Sequence, residues 1–319
     1  MATTYALGTD TRLAGATEAT YGVAPVGAGL YRMLPFSSLT VGGSRTLQEV
    51  ILLDGTRRAS NPTYGAPNVT GEVVIAQDVR TLGWWLTRLM GDPTTTGTGP
   101  YVHAFLSETV DLPSVTLEVG HPQIATPQFD VLSGCRLGGL SFQTSRDAPG
   151  LATIPIVGKR STVAASAINT SPTLFVATLF KTARADLKIG ATVVANVSSV
   201  TMDYSLNLDI DEGLADDGEV EGVEPTRPSL TGTLSSRLGS GTGGLRPHVL
   251  TDGAFELLLT KTVGAHSLVY HAPRVFLEQT AVGVAGPGGV DVAYNWRAAF
   301  DTTAGYMLQV TLTNDVASY

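Results

Sequence analysis

The chain has 319 residues, of which 43% are hydrophobic and only 15% charged, and its net charge is −8. Soluble chains usually carry about 25% charged residues, so much of this surface is expected to be covered by partners. The acidic balance disfavours a protein that grips nucleic acid through its phosphates, and 36 Gly with 17 Pro leave little room for long helices.

From Met1 to Gly8 no basic start leads into an apolar core, so no secretory signal is expected. No apolar run reaches the roughly 18 residues that a membrane helix needs. Residues 1–30 are assigned to an N-terminal arm. A first module is placed at 31–165. Asn61-Pro62 and the Thr/Gly run from Asp92 to Pro100 are expected to be loops. Between them, Leu82, Trp85, Leu86 and Leu89 fall at helical spacing. This predicts a helix over Val79 to Met90, with Asp78 capping its start and Gly91 ending it. The small, polar and β-branched stretch Ser161 to Ser171 fits a linker into a second module, placed at 166–319 together with the joining segment.

Strand signals dominate the second module. Met202, Tyr204, Leu206, Leu208 and Ile210 alternate with Thr201, Asp203, Ser205, Asn207 and Asp209. Strict period two makes one face apolar and the other wet. Val290 to Arg297 and Leu308 to Thr313 alternate in the same way. Half-polar strands of this kind suit antiparallel sheets packed on one side. The expected fold is all-β, with two tandem β-sandwich or barrel modules and one short helix in each.

The modules are inferred from an internal repeat. Phe36 to Val41 reads like Val197 to Met202, and Asn68 to Val73 like Ser229 to Leu234, both at an offset of 161. Pro113, Val115, Leu117 and Glu118 match Pro273, Val275, Leu277 and Glu278 at an offset of 160. Gly134 and Gly150 match Gly289 and Gly305 at an offset of 155.

Little in the chain points to catalysis. The five histidines and the single Cys135 form no metal-ligand spacing. Gly239 to Gly244 lacks the Lys-Ser or Lys-Thr of a phosphate-binding loop. Nothing marks Cys135 as an activated nucleophile. Paired carboxylates for glycoside chemistry stay open, because any acidic β-rich chain offers candidates. An acidic run from Asp203 to Glu224 has no Lys or Arg, and it fails the calcium-loop pattern, which would need an oxygen ligand at Gly213 and a Glu at Val220. The corresponding stretch of the first module carries Arg45, Arg57 and Arg58. These three, with Asp211, Glu212, Asp216, Asp217, Glu219 and Glu221, are therefore candidates for contact between unlike modules of neighbouring subunits or rings.

Ala6-Leu7-Gly8-Thr9-Asp10, followed by Glu18-Ala19-Thr20-Tyr21-Gly22-Val23-Ala24-Pro25, resembles the start of tail tube proteins (major tail proteins) of long-tailed, non-contractile bacteriophages. Gly91, Tyr101, His103, Phe105, Leu112 to Glu118 and Val197 to Thr201 are similar to that family's middle region. The resemblance implies a structural virion protein and no enzyme, without cofactor or metal. Rings of β-sandwich modules stack into a hollow tail, and the inner sheets of neighbours join into one barrel. DNA passes through without specific binding. Partners are other copies of the chain and the tail tip or baseplate, tape-measure and terminator proteins, with no membrane. The location implied is the virion tail, assembled in the host cytoplasm. Family members commonly contribute one module to a six-membered ring, so a two-module chain implies trimeric rings of pseudo-sixfold symmetry. Six copies remain the alternative if the second module is decoration. The wet residues Thr201, Asp203, Ser205 and Asn207 are candidates for the channel wall. A receptor- or carbohydrate-binding β-sandwich of a virion or cell surface is the alternative function; it would want an exposed aromatic platform, whereas Trp84, Trp85 and Trp296 all read as core.

Overall fold

A computed structural model describes residues 5–27, 29–51, 53, 55, 57–148, 150–181, 185–189, 192–193, 197–213, 217–239, 245–250, 253–284 and 286–319. The first half starts with a 3-10 turn at Gly8–Asp10, β1 (Arg12–Thr17), β2 (Arg32–Met33), β3 (Ser38–Leu39) and β4 (Gly42–Ser44). A small hairpin of β5 (Leu47–Gln48) and β6 (Thr63–Tyr64) leads to β7 (Asn68–Ala76) and helix α1 (Leu82–Met90). Then come β8 (Thr94–Thr96), β9 (Tyr101–Leu106), β10 (Val115–His121), β11 (Gln128–Leu137), β12 (Gly139–Ser145), β13 (Leu151–Gly158) and β14 (Arg160–Ala164). The second half holds β15 (Ala185–Ile189), β16 (Thr192–Val193), β17 (Val197–Ser205), the hairpin of β18 (Asp209–Asp211) and β19 (Gly222–Glu224), and β20 (Ser229–Arg237). It ends with α2 (Arg246–Leu250), β21 (Phe255–Val263), β22 (His266–Leu277), β23 (Asp291–Ala298) and β24 (Gln309–Asn314). The fold is all-β with short helices, and the strand ladders among the described residues are antiparallel.

One sheet crosses the whole molecule in the order β3/β4–β7–β13–β12–β17–β20–β23–β22. Two further layers pack on it. The first is β2–β1–β10–β11–β14. The second is β16–β15–β21–β22–β24–β9–β8. Strands β11 and β22 pass from one layer to the other: Phe129 to Ser133 pair with β14, while Arg136 and Leu137 pair with β13. Likewise, Ser267 to His271 pair with β24 and Val275 to Leu277 with β23. The alternating strands bury one face each, as in β23, where Val292, Tyr294, Trp296 and Ala298 are buried and their neighbours exposed. Their apolar faces meet in one continuous core that holds Trp84 and Trp85 of α1 together with Trp296 and Tyr270.

Helix α1 begins three residues later than the periodicity predicts. The Asp78 carboxylate accepts the backbone N–H groups of Thr81 (3.0 Å) and Leu82 (3.0 Å), and the Thr81 hydroxyl also donates to it. This satisfies donors that the first turn leaves free. Gly91 ends the helix at φ +84°, a left-handed conformation that suits glycine. Every residue of the helix is buried, and the two tryptophan rings meet edge to face at 4.9 Å.

Other expectations need correction. Arg12–Thr17, read as part of an arm, is a strand of the outer layer with Leu13 to Ala16 buried. Ser161 to Ala164, read as the start of a linker, belong to β14 and pair with β11. The ten-residue alternation from Thr201 breaks at Asn207, whose φ of +47° ends β17. Asn tolerates that conformation better than most residues.

The 161-residue offset reappears in the ladders. Leu39↔Val73 and Gly42↔Thr70 recur as Val200↔Leu234 and Asp203↔Thr231. In both places the two intervening residues of the first strand drop out of the ladder, and a threonine hydroxyl substitutes for the backbone. Thr40 Oγ1 accepts the Glu72 N–H (3.0 Å), and Thr201 Oγ1 accepts the Thr233 N–H (2.8 Å). The glycine beside each interruption lets the backbones close up. A Cβ on Gly71 would lie 2.5 Å from Val41 Cα, and one on Gly232 would lie 2.0 Å from the Thr201 carbonyl oxygen. The other sequence matches fall on unlike positions. Val115 opens β10, whereas Val275 lies in β22 against Ala298. Gly134 lies within β11, whereas Gly289 precedes β23.

Candidate functional site

The long sheet has a buried side and a wet side. On the wet side one row of residues crosses it from edge to edge: Ser38, Val74, Thr153, Ser141, Asp203, Thr231, Arg297 and Phe276. Asp203 is exposed on this face, as the alternation in β17 predicts. Thr201 lies on the same face and is tied down by its hydroxyl contact to Thr233 Oγ1 (2.8 Å). The Ser205 hydroxyl donates to Asn207 Oδ1 (3.1 Å). Asn207 sits just past the strand end, and its amide donates to the Arg227 carbonyl (2.8 Å). Thr201, Asp203 and Ser205 therefore share one face, while Asn207 caps its rim. Hydroxyls and small groups are common on the face, with Glu72, Asp203, Glu278 and Asp291 and the three arginines Arg237, Arg274 and Arg297 spread across it. Scattered charges of both signs give a polyanion little to hold, since binding phosphates requires clustered Lys or Arg.

The candidate contact residues divide into two groups. Arg45, Arg57 and Arg58 are exposed in or beside the β5–β6 hairpin, and Asp211, Glu212 and Glu221 are exposed on the β18–β19 hairpin. Asp216 lies outside the described residues. Asp217 and Glu219 are already paired within the chain: Arg160 donates from Nε to Glu219 Oε1 (2.6 Å), and its Nη2 lies 3.7 Å from Asp217 Oδ2. That contact raises the Arg160 pKa above its ordinary value. Glu219 also shares a surface hollow with Arg45, Ser44 and Asn68. Contact between the acidic hairpin and a basic residue of the other half thus occurs inside one chain.

This seat also shows what the sequence concealed. The β18–β19 hairpin buries Val220 and Val223, and Arg136 approaches its Glu224 (3.9 Å). The β5–β6 hairpin leaves Leu47, Ile51 and Tyr64 at 62%, 81% and 73% exposure. Turn-rich sequence gives no signal for such a difference.

Further polar groups lock the scaffold. The Glu18 carboxylate is buried and accepts four hydrogen bonds, from Gly22 N (2.9 Å), Ser114 Oγ (2.7 Å), Thr116 Oγ1 (2.7 Å) and Gly134 N (2.8 Å). It joins the turn before β2 to β10 and β11, which explains why a glutamate stands four residues before Gly22. Tyr21, beside the Lys159 and Arg136 side chains, has its pKa pushed up to about 12, mainly by burial. Between the halves, Lys261 Nζ donates to Gln77 Oε1 (2.6 Å), and burial holds its pKa down to about 7. Cys135 is buried, and burial raises its thiol pKa far above the ordinary value, so it is not a nucleophile at neutral pH. Among the described residues no group of three or more His, Cys, Asp or Glu is placed to hold a metal, and no helix is long and apolar enough to cross a membrane.

Residues 8–298 match the model of a family described as phage tail tube protein. No curated protein matches the chain.

Proposed function

The chain belongs to the phage tail tube protein family, and from that premise we propose that it polymerises as stacked rings into the hollow tube through which phage DNA is delivered. It is a structural component of the virion tail. In this reading the chain carries two tube modules, about 31–165 and 166–319, and three copies close a ring of pseudo-sixfold symmetry. The observation that carries the reading is the ladder from Gly139↔Ser205 to Ser145↔Ser199. It joins the first half's share of the long sheet to the second half's, and the second share begins with the register and threonine interruption that begin the first. A sheet that continues from half to half inside a chain can continue from chain to chain, and closure removes exposed edges.

The wet side of that sheet would face the bore, with Thr201, Asp203 and Ser205 on the wall and Asn207 at its rim. Its hydroxyls and dispersed charges would let DNA slide rather than stick. The tail tip or baseplate, tape-measure and terminator proteins would meet the ends and the inside of the tube, and assembly would take place in the host cytoplasm. Electron microscopy of the purified chain tests this directly. Stacked rings with threefold density in cross-section are expected. A monodisperse monomer at all concentrations would refute the tube, and six equal chains around the bore would refute the trimer.

A further inference from the structure

The inner ladder of this chain has a shorter counterpart at one edge of the long sheet. Arg136↔Val157 and Leu137↔Ile156 are followed by a bond from Gly138 N to Pro155 O (2.7 Å). Phe276↔Arg297 and Leu277↔Trp296 are followed by a bond from Glu278 N to Asn295 O (2.8 Å). Both strands of the second set lie at an offset of 140 from the first. The residues after Gly138 form β12, which pairs with β17. The residues after Glu278, from Gln279 to Val284, belong to no helix or strand and have no ladder partner among the described residues. At the far edge of the same sheet, β3 and β4 pair only with β7 among the described residues. They are the strands that β17 repeats at an offset of 161.

We propose that Gln279–Val284 of one copy pairs antiparallel with Leu39–Ser44 of the next copy, in the register of the β12–β17 ladder. The inference rests on the tube reading for the presence of a second copy. Carrying the internal pairs across gives Ala281↔Gly42 from Ser141↔Asp203, Val282↔Val41 from Phe142↔Met202, and Val284↔Leu39 from Thr144↔Val200. The faces agree with this register. Phe142 and Met202 are buried, and Val41 is buried and Val282 packs against the core. Val284, 72% exposed in the single chain, would be covered beside Leu39. A one-residue slip of the Gln279–Val284 segment would turn Val282 and Val284 to the wet side.

A second observation continues the same surface. The β18–β19 hairpin rests on the first half of its own chain through Arg160 and Arg136. The β5–β6 hairpin holds the equivalent place after β4, and its Leu47, Ile51 and Tyr64 are exposed. The same step that pairs the edges lays this hairpin on the second half of the preceding copy. The contact is head-to-tail, so each copy offers one edge of each kind, and the assembly closes into a ring when the rotation allows.

Cross-linking tests the register. A Cβ at Gly42 meets nothing within 4 Å, and Ala281 is exposed, so cysteines at both positions are tolerated. The full chain carrying Gly42→Cys and Ala281→Cys is oxidised under assembling conditions and run on a denaturing, non-reducing gel. Linked dimers and closed trimers are expected, with at least tenfold less product from either single variant or from Gly42→Cys with Gly283→Cys. Ala281→Pro removes a donor from the pairing edge; it should keep the circular dichroism and melting temperature of the monomer and form no rings. Rings that assemble without the Gly42–Ala281 link, or that survive Ala281→Pro, overturn this inference and leave the tube reading intact. An unmodified chain that never forms rings, and a double variant that never links, overturn both.

Discussion

Lys261 offers the most quantitative test of the packing between the halves. It is fully buried in β21, bonded to Gln77 Oε1 at 2.6 Å, with its ammonium 4.6 Å from the centre of the Phe142 ring. Burial lowers its pKa from 10.5 to about 7. Each pKa unit corresponds to about 1.4 kcal/mol between the protonation states, so keeping this side chain in the fold costs on the order of 4 kcal/mol at neutral pH. Between about pH 7 and pH 10.5 the unfolded chain binds the proton and the folded chain does not, so stability rises with pH across that window. Below pH 7 both forms are protonated and the cost is at its full value. Replacing Lys261 with Met removes the charge but forfeits the Gln77 bond, worth about 1 kcal/mol, and the attraction to the ring, worth roughly another 1 kcal/mol. The variant should therefore be more stable than the parent by about 2 kcal/mol at pH 6 to 7. The advantage should shrink as pH rises and vanish or reverse near pH 10.5. Urea unfolding of both proteins in parallel, below the concentration at which rings form, measures the difference while other titrating groups cancel. A gap that is absent at pH 6, or constant from pH 6 to pH 10.5, would refute the argument that desolvation governs this lysine.

Three further outcomes are expected. Glu18→Ala deprives four donors of their acceptor and should lower stability by about 3 kcal/mol or more, seen as a large fall in the melting temperature. Gly232→Ala places a Cβ 2.0 Å from the Thr201 carbonyl oxygen and should cost at least about 2 kcal/mol by chemical denaturation, whereas Gly42→Ala, with open space around it, should change stability by less than about 0.5 kcal/mol. Lysines at Asp203 and Asn207 should slow or stall DNA ejection from particles whose tails still assemble; unchanged ejection kinetics would remove Asp203 from the bore.

What could be read from the sequence was local. Helix α1 announced itself because Asp78, the Leu/Trp spacing and Gly91 all act within a few turns. The wet and dry faces of β17 and β23 were legible because a strand with one buried face must alternate. The buried strand β1 was missed because Ala14, Gly15 and Ala16 carry none of the branched or aromatic side chains that mark strands. Asn207 hid the end of β17 because its left-handed turn leaves the polar–apolar pattern intact. The proposed edge at Gln279–Val284, without a ladder partner among the described residues, carried no signal because pairing across an edge draws on backbone groups, which every residue has. The seat of the acidic hairpin was hidden because Arg160 lies far from Glu219 along the chain, and only the fold brings them to 2.6 Å.

Strand β9 belongs by sequence to the first half, yet it lines up with β24 from Tyr101↔Asn314 to Leu106↔Gln309. At the other end of β24, Asn314 reaches back to the Val79 carbonyl (2.6 Å), and Asp315 is bonded to Arg80 (2.7 Å). Each half thus finishes the other. A gene encoding either half alone would specify a protein with a raw flank where its sibling's strand should be. If the chain arose by fusing two copies of one ancestor, this exchange acts as a ratchet: once the siblings had shared a strand, separating them again would leave two incomplete products in place of one.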